Sequence, residues 1–103
     1  QLQRIAELGL KAEITELDIP LPLFSDTPDP LAAQAQAYAD VFNACLAVQL
    51  CSGITVWGID DAHTWLDSFL ATTAPNQPLL FDETLQPKPA YDSVVNTLLT
   101  VPR

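Results

Sequence analysis

The residues best able to do chemistry in this 103-residue chain are carboxylates near the end of an apolar run. In Ala12-Glu13-Ile14-Thr15-Glu16-Leu17-Asp18-Ile19, apolar residues alternate with Glu13, Thr15 and the pair Glu16 and Asp18, which reads as a strand. Side chains two apart share a strand face, so Glu16 and Asp18 are expected to point together, beside Ile14. Two carboxylates on one face of an otherwise apolar strand are costly unless they are paired or chemically employed. Glu16 could attack a carbon such as the anomeric centre of a sugar, or act as general acid or base. Asp18 could hold a neighbouring group or tune the ionisation of Glu16. The competing role is an ion pair with Lys or Arg elsewhere in the fold, and spacing alone does not separate the two.

Trp57 and Trp65 flank the end of a second apolar run, Ile54-Thr55-Val56-Trp57-Gly58-Ile59. Indole faces stack on sugar rings and the indole N–H can donate to a hydroxyl, although tryptophan just as readily fills a core. His63 is the single histidine and has no partner at metal-ligand spacing, so it is read as solvated. Asp60 and Asp61 read as loop acids, with Asp61 near the proposed site. No phosphate-binding glycine loop, dinucleotide fingerprint or GxSxG elbow is present. Cys45 and Cys51 suit neither a zinc knuckle nor a CxxC redox motif. They could bridge a short helix-to-strand turn, for about 2.4 kcal/mol of loop-closure entropy, or remain two buried thiols. A bridge would imply an oxidising, extracellular setting.

The elements that must position these residues follow from periodicity. Leu2, Ile5, Ala6 and Leu8 have helical spacing, and Gly9 sits where a left-handed cap belongs. Leu10 to Ile19 is a strand, ended by Pro20. Asp29 is a plausible N-cap and Pro30 a first helical residue for a helix running to about Gln49. Its apolar face is Leu31, Ala35, Tyr38, Phe42, Cys45 and Gln49. Ser52-Gly53 ends that helix, and Ile54 to Ile59 is a second buried strand. Asp67 to Gln77 reads as an irregular loop, Leu79-Leu80-Phe81 as a short extended piece and Asp82 to Lys88 as a turn. Pro89 opens a last helix with Tyr91, Val94, Val95, Leu98 and Val101 on its apolar face.

This alternation predicts an α/β fold of parallel strands with crossover helices. Two strands cannot cover such helices by themselves, so the chain reads as a slice of a larger α/β domain with no internal boundary. Composition narrows the partners. Hydrophobic residues make up 49% and the net charge is −9. The only basic residues, Arg4, Lys11, Lys88 and Arg103, form no patch, which argues against nucleic acid and anionic membranes. A neutral polymer such as a polysaccharide suits this charge. No stretch approaches the roughly 20 apolar residues of a membrane span. No signal peptide is visible, and the opening residues read as the interior of a longer protein.

Several of these segments resemble one family. Ile14-Thr15-Glu16-Leu17-Asp18-Ile19 is similar to the nucleophile strand of family-ten glycoside hydrolases, the endo-β-1,4-xylanases. Gly53 to Ile59 followed by Asp61 and Trp65 resembles that family's eighth strand and its loop. Leu79-Leu80-Phe81-Asp82 with Lys88-Pro89-Ala90-Tyr91 resembles its closing segment, and Asn43-Ala44-Cys45 with Cys51 resembles secreted members that carry a disulfide there.

The resemblance covers nearly the whole chain in order. It implies part of a (β/α)8 TIM barrel, from the end of helix six through strand eight and the final helix, with residues 1–103 as the C-terminal portion of one catalytic domain. It implies retaining cleavage of xylan with no metal or other cofactor, in a secreted and monomeric parent. Glu16 matches the nucleophile, and Asp18 the acid that supports it through a network with a histidine. Trp57 and Trp65 match aromatics lining the glycone side of the cleft, and Cys45 and Cys51 a disulfide. The family's acid/base glutamate, in an Asn-Glu pair, and its histidine on strand six have no counterpart here. The isolated chain is therefore expected to be inactive and prone to aggregate through exposed strand edges. The alternatives are another retaining barrel glycosidase, acting on β-glucan or mannan, and a non-catalytic carbohydrate-binding or structural module.

Overall fold

The two apolar runs pair as parallel strands, β1 (Ala12–Leu17) and β2 (Cys51–Val56), in a computed structural model that describes residues 1–69 and 75–100. β1 is shorter than the expected Leu10 to Ile19, whereas β2 keeps the expected length but begins three residues earlier, at Cys51 instead of Ile54. Gly58, at φ +137°, turns the chain away two residues past β2, leaving Trp57 beyond the strand end. A short helix, α1 (Leu2–Glu7), precedes β1. It closes where expected: Gly9 (φ +76°) donates to Ala6 O and Leu10 to Ile5 O, the reciprocal bonds of a Schellman cap.

The crossover between the strands is α2 (Pro30–Leu46), reached through a 3-10 turn over Leu21–Phe24. The Asp29 carboxylate caps α2 by accepting from Ala32 N at 3.2 Å, and Pro30 occupies the first turn, where it lacks only an N–H that would have no partner there. The helix stops at Leu46, three residues short of Gln49. Ser52-Gly53 is not its breaker, because both residues already lie in β2. The turn falls at 47–50 instead, where Cys51 N donates to Val48 O and Ala12 N donates to Leu50 O to start the ladder. Gly53 stands opposite Glu13, and a Cβ on it would lie 3.4 Å from Glu13 Oε1.

After β2 come a 3-10 turn (Asp61–His63), a single helical turn α3 (Leu66–Phe69) and α4 (Pro89–Thr100). The start of the expected irregular loop at Asp67 is therefore helical, and its residues 70–74 lie outside the described residues. Leu79-Leu80-Phe81 forms no strand. Phe81 alone bridges to Asp60 and to Pro87. The Asp82 turn is closed by its own carboxylate, which accepts from Thr84 N, Thr84 Oγ1 and Gln86 N.

The core is Ile19, Tyr38, Phe42, Ala90 and Val94, with Leu17, Ile54 and Leu80 packed against it. Two helical faces differ from hydropathy. On α2, Gln34 and Ala39 are buried while Leu31 is exposed. On α4, the buried residues are Ala90, Val94 and Thr97, and Leu98 is exposed; Val101 lies outside the described residues. Gln34 is held inside by Ile19 O and Gln77 O, and α2 packs on α4 with a polar contact, Ser93 Oγ to Ala35 O at 2.8 Å, between them.

Candidate active site

The C-terminal end of β1 does not keep strict alternation. Ile14 pairs with Ile54 and Leu17 with Val56, so three steps on β1 oppose two on β2. This is a bulge, and it leaves Thr15 and Glu16 both exposed between half-buried Ile14 and Leu17. Glu16 thus does not share the burial phase of Ile14 that alternation predicts. Among the described residues no hydrogen bond or ion pair reaches its carboxylate.

Asp18 lies one residue beyond the strand, half-buried, and its Oδ2 accepts from Trp65 Nε1 at 2.7 Å. Trp57 is held to the same strand end through its backbone, whose N–H donates to Leu17 O at 2.8 Å. Neither indole is a core residue: Trp57 is 46% and Trp65 44% exposed. Trp65 also tilts against Phe69, with ring centroids 4.7 Å apart. The fold therefore gathers Glu16, Asp18, Trp57 and Trp65 where β1 and β2 end, Trp57 tied to Leu17 through its backbone and Trp65 to Asp18 through its indole. The His63 ring, 83% exposed, meets Asp60 Oδ1 at 2.8 Å and, among the described residues, bonds none of that group. Asp60 caps the 3-10 turn, and the hydrogen bond from His63 holds its carboxyl below the ordinary carboxylate value.

Beneath this end lies a buried polar layer that the sequence does not announce. Asp61 is not a loop acid. Its Oδ2 pairs with Lys88 Nζ at 2.8 Å, its Oδ1 accepts from Leu79 N at 2.8 Å, and both side chains are at least 95% buried. Burial pushes the Asp61 carboxyl above its ordinary value, and the Lys88 and Leu79 bonds offset part of that push. Gln34 Nε2 donates to Ile19 O and Gln77 O, and Tyr38 OH donates to Pro78 O. Burial, together with the Asp18 and Asp61 charges, raises the Tyr38 hydroxyl far above its usual range. Leu79 also presses on Gly58, where a Cβ would come within 2.7 Å of Leu79 Cδ1. One signal for this layer was available in the sequence. Lys88 directly precedes Pro89 at the start of a helix, the end that disfavours a cation, so its charge needed a partner from elsewhere.

At the opposite end, Cys45 and Cys51 form a disulfide with Cα atoms 5.3 Å apart, which settles the choice between bridge and free thiols. It joins the last turn of α2 to the first residue of β2, away from the strand ends that carry the acids and indoles.

Comparison with known proteins agrees with this architecture. Residues 1–97 match the family model for glycosyl hydrolase family 10. The chain is 42% identical over 104 residues to an endo-1,4-beta-xylanase of Geobacillus stearothermophilus, aligning 92% of this chain with 32% of that protein. It is 40% identical over 97 residues to endo-1,4-beta-xylanase 2 of Aureobasidium pullulans, aligning 94% of this chain with 26% of that one. Its structure superposes on a mutant of xylanase 10C from Cellvibrio japonicus in complex with xylopentaose, with a TM-score of 0.82 and 31% identity. That match covers 98% of this chain and 24% of the other. The chain thus spans about a third or less of the length of the relatives it matches. The parallel β1–α2–β2 unit and α4 are part of a (β/α)8 barrel, whose functional groups sit at the C-terminal ends of its strands. The chain belongs to glycosyl hydrolase family 10.

Proposed function

We propose that this chain carries the nucleophile half of a retaining endo-1,4-β-xylanase, with Glu16 as the nucleophile. The observation that carries this reading is the exposed Glu16 carboxylate, without a partner among the described residues, on a bulge at the C-terminal end of a barrel strand where two half-exposed tryptophans are also held. Bulges next to active sites commonly re-aim one side chain, and a carboxylate not held by other side chains keeps its oxygens for attack. Glu16 attacks the anomeric carbon, the glycosidic bond breaks, and a covalent glycosyl-enzyme forms. A second carboxyl group about 5 to 5.5 Å away protonates the leaving oxygen and then activates water. That second group must come from outside these 103 residues, because no Asn-Glu pair occurs in them.

The other residues serve that step. Trp57 and Trp65 offer flat apolar faces for the sugar rings on the glycone side. Asp18 accepts the Trp65 N–H and so fixes the orientation of that ring. Two relatives bear the name endo-1,4-beta-xylanase and a superposable structure holds xylopentaose, which supports xylan and xylo-oligosaccharides as substrates. The Cys45–Cys51 bridge supports a secreted protein acting outside the reducing cytosol.

The test uses the full-length protein containing this segment. Hydrolysis of xylan should be abolished by Glu16→Ala, and a variant keeping near-full rate would overturn the nucleophile assignment. Faster hydrolysis of carboxymethyl-cellulose or mannan than of xylan would redirect the substrate while keeping the chemistry. The purified 103-residue chain is expected to release no sugar from xylan.

A further inference from the structure

Six consecutive residues, Asn76 to Phe81, each bond to the site's surroundings, and Asp61 and Lys88 each meet two of them. Asn76 O accepts from Leu21 N at 2.8 Å, while Asn76 N and Nδ2 donate to Asp67 Oδ1 at 3.0 and 2.9 Å. Gln77 O accepts from Gln34 Nε2 (2.7 Å) and Lys88 Nζ (2.8 Å). Pro78 O accepts from Ile19 N and Tyr38 OH. Leu79 N donates to Asp61 Oδ1, Leu80 O accepts from Lys88 N, and Phe81 O accepts from Asp61 N. Asn76, Pro78 and Leu79 are fully buried, yet the segment is neither helix nor strand.

Gln77 holds φ +44°, a conformation costly for a side chain with a Cβ, and its carbonyl meets two donors, one of them the Lys88 ammonium. Buried irregular backbone keeps such a conformation only where its surroundings over-determine it.

These bonds close a ring through the proposed site. Asp18 leads to Ile19, Ile19 N bonds Pro78, and Leu79 follows Pro78. Leu79 N bonds Asp61, the chain runs from Asp61 to Trp65, and Trp65 Nε1 returns to Asp18. Both partners of the Asp18–Trp65 bond are therefore located by one segment, itself pinned by the Asp61–Lys88 pair.

We infer that residues 76–81, locked by the buried Asp61–Lys88 pair, position Asp18 and Trp65 relative to each other, making Asp61 and Lys88 positioning residues for the reaction. The catalytic part of this inference rests on the proposed roles of Asp18 and Trp65. Displacing a positioning group by about 1 Å can cost on the order of 100-fold in rate.

The experiment compares three forms of the full-length protein. The double variant Asp61→Asn/Lys88→Met removes both charges together, which a fold tolerates far better than one unpaired charge, and the substituted amide retains an acceptor for Leu79 N. The double variant Cys45→Ser/Cys51→Ser loosens the opposite end of the strands. Readouts are thermal melting, the Trp65 indole N–H resonance, and kcat and KM on xylopentaose. The first variant should shift the indole resonance, raise KM and lower kcat/KM by roughly 10- to 100-fold while remaining folded. The disulfide variant should melt lower with both site readouts unchanged.

An unchanged resonance and unchanged kcat/KM in the first variant overturn the inference, as do equal losses in the disulfide variant. If the first variant does not fold, Tyr38→Phe removes one donor to Pro78 O and is read by the same resonance, which must shift. A wild-type protein that does not cleave xylopentaose, with the indole resonance still displaced in the first variant, would sink the proposed function and leave the positioning role standing.

Discussion

Glu16 and Asp61 both stand close to the C-terminal end of a parallel strand, and the fold treats them in opposite ways. Asp61 is almost completely buried, one oxygen on Lys88 and the other on the Leu79 amide. Glu16 is exposed on a bulge, and no described residue bonds it. In sequence each is one of two neighbouring acids at the end of an apolar run, Glu16 with Asp18 and Asp61 with Asp60. What separates them is which groups the surrounding elements bring within bonding distance. A carboxylate given a partner for each oxygen holds structure together, while one left free in water at a strand end keeps its lone pairs for a substrate.

The largest effect that could break this contrast is on rate. Glu16→Ala should lower xylan hydrolysis by the full-length protein by about 10^4- to 10^6-fold, the range for loss of a group that acts covalently with its partners. The same substitution should move stability by no more than about 0.5 kcal/mol, as for other exposed sites, measured by urea denaturation. Asp61→Ala should do the reverse in that denaturation experiment. It strands the Lys88 ammonium in the interior and should cost about 3 to 5 kcal/mol. Equal stability losses at the two positions would erase the distinction drawn here.

A smaller effect tests how far the Asp61 environment extends. Tyr38 is raised by burial and by the nearby Asp18 and Asp61 charges. The folded chain therefore keeps a proton that the unfolded chain releases above the ordinary tyrosine value of 10.0. Stability linked to Tyr38 is complete below that pH and is lost as pH rises beyond it. Tyr38→Phe should cost about 1 kcal/mol at neutral pH for the lost hydrogen bond, since Pro78 O retains Ile19 N. It should also make the alkaline fall in stability shallower, as followed by denaturation between neutral pH and pH above 10.0.

Much of the fold was legible because local signals agreed with one another. Asp29-Pro30 marks the start of α2, Gly9 the end of α1, and the β-branched run from Ile54 to Val56 lies in β2. The parallel pairing followed from the alternation of strand and helix. The bulge has a trace in the letters, since Thr15 and Glu16 are two polar residues in succession between Ile14 and Leu17, but only the offset of β1 against β2 identifies an extra residue there. Gln34 looks in the sequence like one more polar residue on a helix, since its two carbonyl partners are 15 and 43 residues away. Asp61 and Lys88 are 27 residues apart, and in the sequence one reads as a loop acid and the other as the end of a turn. The family resemblance supplied roles for Glu16, Asp18, Trp57 and Trp65, whereas the layer that supports them emerged only from the three-dimensional contacts.

The Cys45–Cys51 bridge has a consequence for how the chain survives proteolysis. It spans a short turn in which Leu46, Ala47 and Gln49 are exposed, the kind of site where proteases cut first. A cut there leaves α2 and β2 in one covalent molecule, so the peptide carrying Glu16 and the peptide carrying Trp57 and Trp65 stay together until a reductant separates them. Such a nicked protein would run as one species on a non-reducing gel and as two on a reducing one.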